Sequence, residues 1–400
     1  MHKGLGDLLD ILRRIVACDT TSHHSNLKAT ALLADLLDQP GIKVRTVASP
    51  DGTKENIWAR IGPEAPGGVV LSGHTDVVPV EGQAWTRDPW TLAVMDGRAF
   101  GRGACDMKGF VAACVVSARR LARASLREPV YLAFSYDEEI GCYGVPSLIS
   151  DLQANGCRPR AVIVGEPTGM GVVNAQKATY GARTEVRGAA AHSSRPAAGV
   201  SATVAAAEIA LFLAGLQDEF ARKAGPGGFD PPHATLNVGI VRGGVARNIV
   251  APEAEIQWDC RAMPGEDPDE ALRRLDLFIS EDLMPRWSTG PAPLEVRTER
   301  LNFMPGLAPE PAGEAECLAR LLVGADRTAT VSYGTEAGFF QREGWSTIIC
   351  GPGSIEQAHK PDEFIELDQL AACLRMLDAL PSLLADRRSR TAPQQETLAS

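Results

Sequence analysis

Short apolar runs alternate with helix-like segments over the first 180 residues and again after residue 300. Residues 107–125, for example, have the apolar spacing of a helix. Four runs have the length and content of buried strands: GVVLSG (68–73), VYLAFSY (130–136), AVIVG (161–165) and STIICG (346–351). Buried strands that alternate with helices predict an α/β fold with a mainly parallel sheet and helices on both faces.

The order of elements changes between residues 181 and 299. Strand, long helix (200–217), two strands, helix and strand follow one another there, which is the βαββαβ order of a ferredoxin-like α+β domain. In its strand AEIQWDCRAM, the two-residue period places Trp258 on the buried face and Arg261 on the polar face. We therefore predict a domain of 181–299 inserted into a discontinuous domain of 1–180 and 300–400.

Composition and charge narrow the class of protein. The chain has 400 residues, of which 44% are hydrophobic, enough for two domains with a sizeable core. Its net charge is −10, and no dense cluster of Lys and Arg is present, which argues against a nucleic-acid partner. Nine cysteines without C-x-x-C spacing argue against a disulfide framework or a structural zinc site and favour a reducing compartment.

No segment has the pattern of a signal peptide or a membrane span. The N-terminal MHKGLGDLLDILRRIV carries charges within its apolar pattern and predicts an amphipathic helix. The run GVSATVAAAEIALFLAGL is rich in Ala and interrupted by Glu208, which favours a buried helix. We expect a cytoplasmic protein without a membrane partner, and a disordered polar tail from about residue 385 to 400.

Carboxylates or histidines occur at five places beside the predicted buried strands. Three places directly follow a strand: His74, the run Asp137–Glu139 and Glu166. Asp106 follows a Gly-rich turn, and His359 follows the loop after the last strand. Each has an ordinary explanation when taken alone. A histidine at a strand end is usually a satisfied polar residue, Asp106 could cap a helix, and adjacent acids are usually solvated. Ligands of open α/β sheets, however, collect beyond the carboxyl ends of the strands. The shared placement therefore predicts a functional site.

Three carboxylates and two neutral histidines suit two divalent metal ions. If Asp106 bridges the ions, each ion also has one histidine and one further carboxylate, an open N/O-ligated arrangement suited to catalytic zinc. Asp76 lies two residues after His74 and could accept the second ring N–H of a metal-bound imidazole.

The adjacent acids Glu138 and Glu139 need different roles, because neighbours on an extended chain point to opposite sides. One would bind metal, and the other would face the substrate and transfer protons. The spacing alone does not decide between them; we assign Glu139 to the metal and Glu138 to general acid–base work.

The chain resembles the M20 family of metallopeptidases and deacylases in five motifs, which occur in the order of that family: LSGHTDVVP, GRGACDMKG, SYDEE, GEPT and GPGSIEQAHKPDE. The resemblance implies a zinc-hydrolase catalytic domain with an inserted lid or dimerisation domain. It also implies five metal ligands, namely His74, Asp106, Glu139, Glu166 and His359. By the same resemblance Asp106 bridges the two ions, Glu138 is the general base and Asp76 is the orienting carboxylate. The implied cofactors are two Zn²⁺ ions, with Co²⁺ as an alternative.

Within that family, the chain most resembles the acetylornithine deacetylases, in CDTTSHHSNL, SYDEEIGCYGVPSLI, AHSSRP, PPHATLNVG and YGTEAGFFQ. By this resemblance His192 would stabilise the tetrahedral oxyanion, often from the other subunit of a homodimer. Asn248, Arg261 and Thr335 would contact the substrate, with Arg261 pairing to its carboxylate. From the residues alone, Asn248 could be a turn residue and Arg261 a surface strand residue.

The resemblance implies removal of an N-acyl group from a small-molecule amino acid, with N2-acetyl-L-ornithine as the expected substrate and ornithine and acetate as products. Desuccinylation of succinyl-diaminopimelate, or deacylation of another N-acyl amino acid, is the alternative within the family. A catalytically inactive binding protein is the alternative from another class. Where related deacetylases have His-Lys-Gly, this chain has Gln176-Lys177-Ala178, which leaves the choice of substrate open.

Overall fold

The computed structural model describes residues 2–223, 225 and 227–385, and the chain divides into two compact units. Unit 1 comprises Met1–Val173, Glu310–Thr328 and Phe339–Ser400, and unit 2 comprises Asn174–Pro309 and Ala329–Gly338. Unit 2 thus takes in more of the chain than the predicted insertion of 181–299. The disorder predicted for the tail concerns residues that, after Ala385, lie outside the described ranges.

The strands of the described residues are, in chain order, β1 (Ile42–Ala48), β2 (Glu55–Ile61), β3 (Val69–His74), β4 (Ala93–Met95), β5 (Arg98–Phe100), β6 (Val130–Ser135), β7 (Ala161–Pro167), β8 (Val173–Gln176), β9 (Ala178–Arg187), β10 (Thr235–Gly243), β11 (Glu253–Ala262), β12 (Glu295–Arg300), β13 (Ala329–Val331), β14 (Thr347–Gly351) and β15 (Phe364–Glu366).

The α-helices are α1 (Leu5–Val16), α2 (Leu27–Leu37), α3 (Lys108–Arg123), α4 (Val145–Ala154), α5 (Ala202–Arg222), α6 (Glu270–Leu277), α7 (Met284–Trp287), α8 (Glu314–Val323), α9 (Ala337–Arg342) and α10 (Leu367–Ala385). A π-helical segment, Phe278–Leu283, joins α6 to α7, so the helical stretch between β11 and β12 changes its winding part-way. No helix among these residues combines the length and the apolarity that crossing a bilayer requires.

The large sheet of unit 1 has the strand order β1-β2-β6-β3-β7-β14. The pairs β6–β3, β3–β7 and β7–β14 are parallel, and every residue of these four strands is buried. The pairs β1–β2 and β2–β6 are antiparallel. For the first pair the reason is that a short connection returns the chain from β1 directly into β2. The predicted α/β class with a mainly parallel central sheet is confirmed.

The parallel strands β3, β6, β7 and β14 all end at the same edge of the sheet. One apolar core joins this sheet to α1, α3, α8 and α10, so the strands that deliver the site are held by the core of unit 1. The residues that follow the four strands are consequently delivered to one place.

Unit 2 contains a four-stranded antiparallel sheet in the order β10-β11-β9-β12. Burial alternates along β9 and β11, and α5 packs on the buried face over a separate apolar core. The predicted βαββαβ order and the predicted burial of Trp258 both agree with the structure.

Candidate metal centre and active site

In unit 1, His74 lies at the end of β3 and faces two carboxylates. Its Nε2 atom is 3.2 Å from Oδ1 of Asp106 and 3.8 Å from Oε1 of Glu166, which lies on β7. Asp106 was considered above as a helix cap, but α3 has no side-chain cap bond at its N-terminus. The Asp106 carboxylate is instead directed at the imidazole.

His359 lies on the other side of the same carboxylate. Its Nε2 atom is 3.6 Å from Oδ2 of Asp106 and 3.0 Å from Oε2 of Glu139. The two oxygens of Asp106 therefore face two different histidines, which is the arrangement of a carboxylate that bridges two cations. The structure brings all five proposed ligands together.

Burial and crowding set the charges of this cluster. Burial raises the pKa of Glu138 well above its ordinary value, and burial together with Asp106 raises the pKa of Glu139. Burial disfavours the charged form of His74, but the hydrogen bond with Asp106 and the nearby carboxylates outweigh it and raise its pKa. Burial likewise opposes the charged form of Asp106, but its contacts with His74 prevail and lower its pKa.

This donor set fits divalent cations. Oxygen and imidazole nitrogen atoms of His74, Asp106 and Glu139 all lie within 4.8 Å of one another, and those of His74, Glu138 and Glu166 do so as well. Close, mostly buried carboxylates repel one another unless a positive charge lies between them. Nitrogen and oxygen donors without a thiolate suit Zn²⁺ or a similar divalent ion.

Asp76 orients this site in a way that the sequence did not predict. The Nδ1 atom of His74 is 2.9 Å from the backbone carbonyl oxygen of Asp76, whereas the carboxylate is 3.6 Å away. The carboxylate instead accepts the backbone N–H groups of Glu138 and Glu139, at 3.1 and 3.2 Å, and the hydroxyl of Ser22 at 2.7 Å. Asp76 thus positions the acid pair through its side chain and the imidazole through its main chain.

Glu138 and Glu139 lie in a turn after β6 and not in an extended strand. The backbone N–H groups of Gly141 and Cys142 both donate to the Glu138 carbonyl, each at 3.0 Å. The argument that neighbours point to opposite sides is therefore wrong for this pair, because the strand ends at Ser135. Both acids reach the cluster, and the Cys142 thiol also contacts the Glu138 carboxylate at 3.6 Å.

Sequence reasoning missed the residues that brace this turn. Asp137 has a positive φ of 56° and forms an ion pair with Lys54, which also donates to the Ser22 carbonyl. It also missed the buried pair of Arg102 and Glu363 beneath Asp106. Arg102, Asp137 and Glu363 lie within the recognised motifs, which was the available signal, whereas Lys54 lies outside them.

The proposed residues of unit 2 fall into two groups. His192 and Asn248 are exposed neighbours: His192 bridges to Ile249, and the Ser193 N–H donates to the Asn248 carbonyl at 3.0 Å. At the end of β11 that begins with Glu253, this residue pairs with Arg187 of β9. Beyond that end of the two strands, an isolated backbone pair joins His192 to Ile249.

Arg261 and Thr335 form the second group. Arg261 donates to the Ser332 carbonyl at 3.0 Å and stays partly exposed. Thr335 is only 1% exposed, and its hydroxyl donates to the side-chain oxygen of Gln176. Its side chain is therefore occupied within unit 2, and the contact of this position with substrate stays a prediction. Gln176 is the partner that holds it.

The two groups lie at opposite ends of the same sheet. The β11 register places Arg261 opposite Thr179, eight residues from the pair of Glu253 and Arg187. Eight strand residues span about 27 Å, and His192 lies beyond that end. Within one chain, the structure does not bring Arg261 and His192 together.

Comparisons with known proteins concern the family and the fold of this chain. The model of peptidase family M20/M25/M40 matches residues 70–382. A tripeptidase from Staphylococcus aureus has a similar structure, with a TM-score of 0.74 and 19% identity over 95% of this chain and 98% of its own. Human carnosine dipeptidase 1 has a TM-score of 0.71, with 17% identity over 96% of this chain and 97% of its own. A dinuclear metal binding peptidase from Bacillus subtilis has a TM-score of 0.66, with 16% identity over 95% and 98%.

Proposed function

Since this chain belongs to peptidase family M20/M25/M40, we propose that it is a dinuclear metal-dependent hydrolase that removes the acyl group of an N-acyl amino acid. The observation that carries the proposal is the Asp106 carboxylate, whose two oxygens face His74 and His359. The proposed substrate is N2-acetyl-L-ornithine, which would give ornithine and acetate in arginine biosynthesis. The resemblance to acetylornithine deacetylases supports this choice.

The proposed ligands are His74, Asp106, Glu139, Glu166 and His359, holding Zn²⁺ or, alternatively, Co²⁺. Two such ions would polarise the amide carbonyl and make a water molecule acidic enough to attack at neutral pH. Glu138 takes a proton from the attacking water and returns it to the leaving amine. Its position supports this role, because its backbone is fixed by Asp76 and its carboxylate lies beside His74 and Glu166.

The residues of unit 2 would recognise the substrate. Arg261 keeps part of its guanidinium exposed and would pair with the substrate carboxylate. His192 is exposed, shares a hydrogen bond with Ser194 through Nδ1, and keeps Nε2 for a developing oxyanion. Asn248 beside it would contact the same part of the substrate.

A substrate panel tests the proposal. Protein stripped by chelation and reloaded with Zn²⁺ or Co²⁺ would be assayed with acetylornithine, succinyl-diaminopimelate, acetylcitrulline, acetylmethionine and a simple dipeptide. We expect acetylornithine to have the highest kcat/KM. A higher kcat/KM for another acyl amino acid would show that the proposed substrate is wrong. Cleavage of the dipeptide alone would overturn the deacylase proposal. Full activity in the chelated protein would overturn metal dependence.

We further propose that the chain forms a homodimer through unit 2. The strand β10 lies at the edge of its sheet, with its outer backbone groups available for pairing. Exposed apolar side chains occur on β10, beside it and on the neighbouring α5: Val204, Leu211, Val241 and Val245. All nine cysteines are unpaired, which supports the proposed cytoplasmic location.

Mixing two inactive variants should restore activity if His192 acts across the dimer. Arg261 and His192 lie too far apart in one chain to hold one small substrate, so one of them must come from another copy if both act on it. Subunit exchange between Glu138→Gln and His192→Ala dimers would create one intact site in each mixed dimer. Activity should rise to about one quarter of wild type, because half of the dimers are mixed and half of their sites are intact. Absence of rescue, with exchange confirmed by differently tagged subunits, would contradict sharing.

A further inference from the structure

A buried ion pair lies beneath the proposed metal centre. Arg102 and Glu363 are each only 1% exposed, and Nη1 of Arg102 is 2.8 Å from Oε2 of Glu363. A buried pair is costly to desolvate unless further hydrogen bonds satisfy its remaining atoms. The hydrogen-bond partners of the Arg102 Nη atoms and of the Glu363 carboxylate belong to three loops, each of which follows or carries a proposed ligand.

Glu363 fixes the loop of Asp106. Its Oε1 atom accepts the backbone N–H groups of Cys105 at 2.8 Å and Asp106 at 3.0 Å. Its Oε2 atom accepts the N–H of Gly103 at 3.0 Å. Three successive bonds to one carboxylate leave this turn little freedom, and the turn ends at the bridging ligand.

Arg102 connects the same carboxylate to the loop of His359. Its Nη1 atom donates to the carbonyl of Lys360 at 3.3 Å, and its Nη2 atom donates to the side-chain oxygen of Gln83. The amide nitrogen of Gln83 donates in turn to the carbonyl of His359 at 3.2 Å. A continuous set of hydrogen bonds therefore runs from Glu363 through Arg102 and Gln83 to the main chain of a ligand.

The two proposed metal subsites differ in how their ligands are supported. His74 and Glu166 lie on β3 and β7, whose neighbours in the sheet hold them on both sides. His359 lies in a loop, its side chain is 55% exposed, and its φ of 62° is one that a histidine adopts only at a cost. The first subsite is held by strands, and the second depends on contacts between loops.

We propose that Gln83 and Arg102 are positioning residues that set the affinity of the metal subsite formed by His359 and Glu139. They leave the subsite of His74 and Glu166 nearly unchanged. Glu363 anchors the pair, and because it also holds Asp106 it serves both subsites. This inference rests on the proposed dinuclear centre.

Zn²⁺ titration of the metal-free full-length protein, in competition with a chromophoric chelator, tests the inference. Wild type should bind two ions with separate dissociation constants. Gln83→Ala and Arg102→Lys should bind the tighter ion within about twofold of wild type and the weaker ion at least about tenfold more weakly, the usual effect of removing a partner of a ligand. Gln83 is partly exposed, so its variant should fold even if Arg102→Lys does not.

Gln153→Ala is the matched control, because Gln153 is also a partly exposed glutamine of unit 1 whose side-chain amide makes one bond, to Glu343. It should bind both ions as wild type does. A His359→Ala background identifies the subsite: adding Gln83→Ala there should not change the remaining tight constant. An equal loss of Zn²⁺ affinity at both subsites, or no loss of affinity at either, would overturn the inference. Failure of wild type to bind a second ion would instead overturn the proposed dinuclear centre.

Discussion

Glu138→Gln should keep both metal ions and lose at least about 10²-fold in turnover, the usual scale for removing a general base. The amide has nearly the shape of the carboxylate, so the turn fixed by Asp76 should remain in place. It cannot accept a proton from water, and it therefore removes the proposed chemistry of Glu138 while leaving the five proposed ligands untouched. Because the step lost is proton transfer, we expect the change in kcat and not in KM.

Steady-state kinetics together with metal analysis of the same sample would check this result. Glu81→Gln is the matched control, since Glu81 is exposed in the same unit and should give wild-type kinetics. Near-normal turnover of Glu138→Gln would contradict its role as the base. Loss of one metal ion from this variant would instead show that Glu138 is a ligand.

Asp106→Asn should reduce bound metal from two ions to at most one and abolish measurable turnover. Asp106 is the residue whose two oxygens face two different histidines, at 3.2 and 3.6 Å. Asparagine offers one oxygen and an NH₂ group, which cannot bind a cation. The substitution therefore removes the negative charge that both subsites share and the oxygen donor of one of them, unlike a change at His74 or His359.

Metal content after dialysis, measured beside turnover, would check this prediction. Asp38→Asn is a suitable control because Asp38 is exposed at the end of α2. Thermal unfolding of the metal-free proteins would show that Asp106→Asn is folded. Two ions bound with wild-type affinity in that variant would contradict the bridging assignment.

The fold was predictable from the sequence because its parallel strands are continuous apolar runs with polar residues at their ends. The runs at 68–73 and 161–165 appear as β3 and β7, each shifted or extended by only one or two residues. The period of two along β11 likewise placed Trp258 and Arg261 on the correct faces. Patterns of this kind depend on neighbours in the sequence, and they are therefore visible in it.

The details of the site depend on contacts between distant segments, and these were not predictable. Ser22 reaches Asp76 across 54 positions, and Glu363 reaches Asp106 across 257. Nothing in the local pattern shows that the Asp76 carboxylate holds two backbone amides and not an imidazole. A motif identifies residues that act together, but the hydrogen-bond partners of those residues depend on how the loops pack in the folded protein.

Thr335 is a second residue whose contacts could not be predicted from the sequence. The resemblance suggested a substrate contact, but the hydroxyl is buried against Gln176, 159 positions away. The identity of that partner was visible in the sequence. Its effect on Thr335 was not, because the two residues meet only in the folded unit.

The length of β11 bears on how activity would respond to dilution. Its register separates Arg261 from the end of the sheet that leads to His192, and under the proposed sharing a single chain holds only part of the substrate site. Complete sites would then form by association of two chains and follow mass action. Activity per chain would fall as the protein is diluted below its dimer dissociation constant, while the five proposed metal ligands, which all lie in unit 1, would remain assembled.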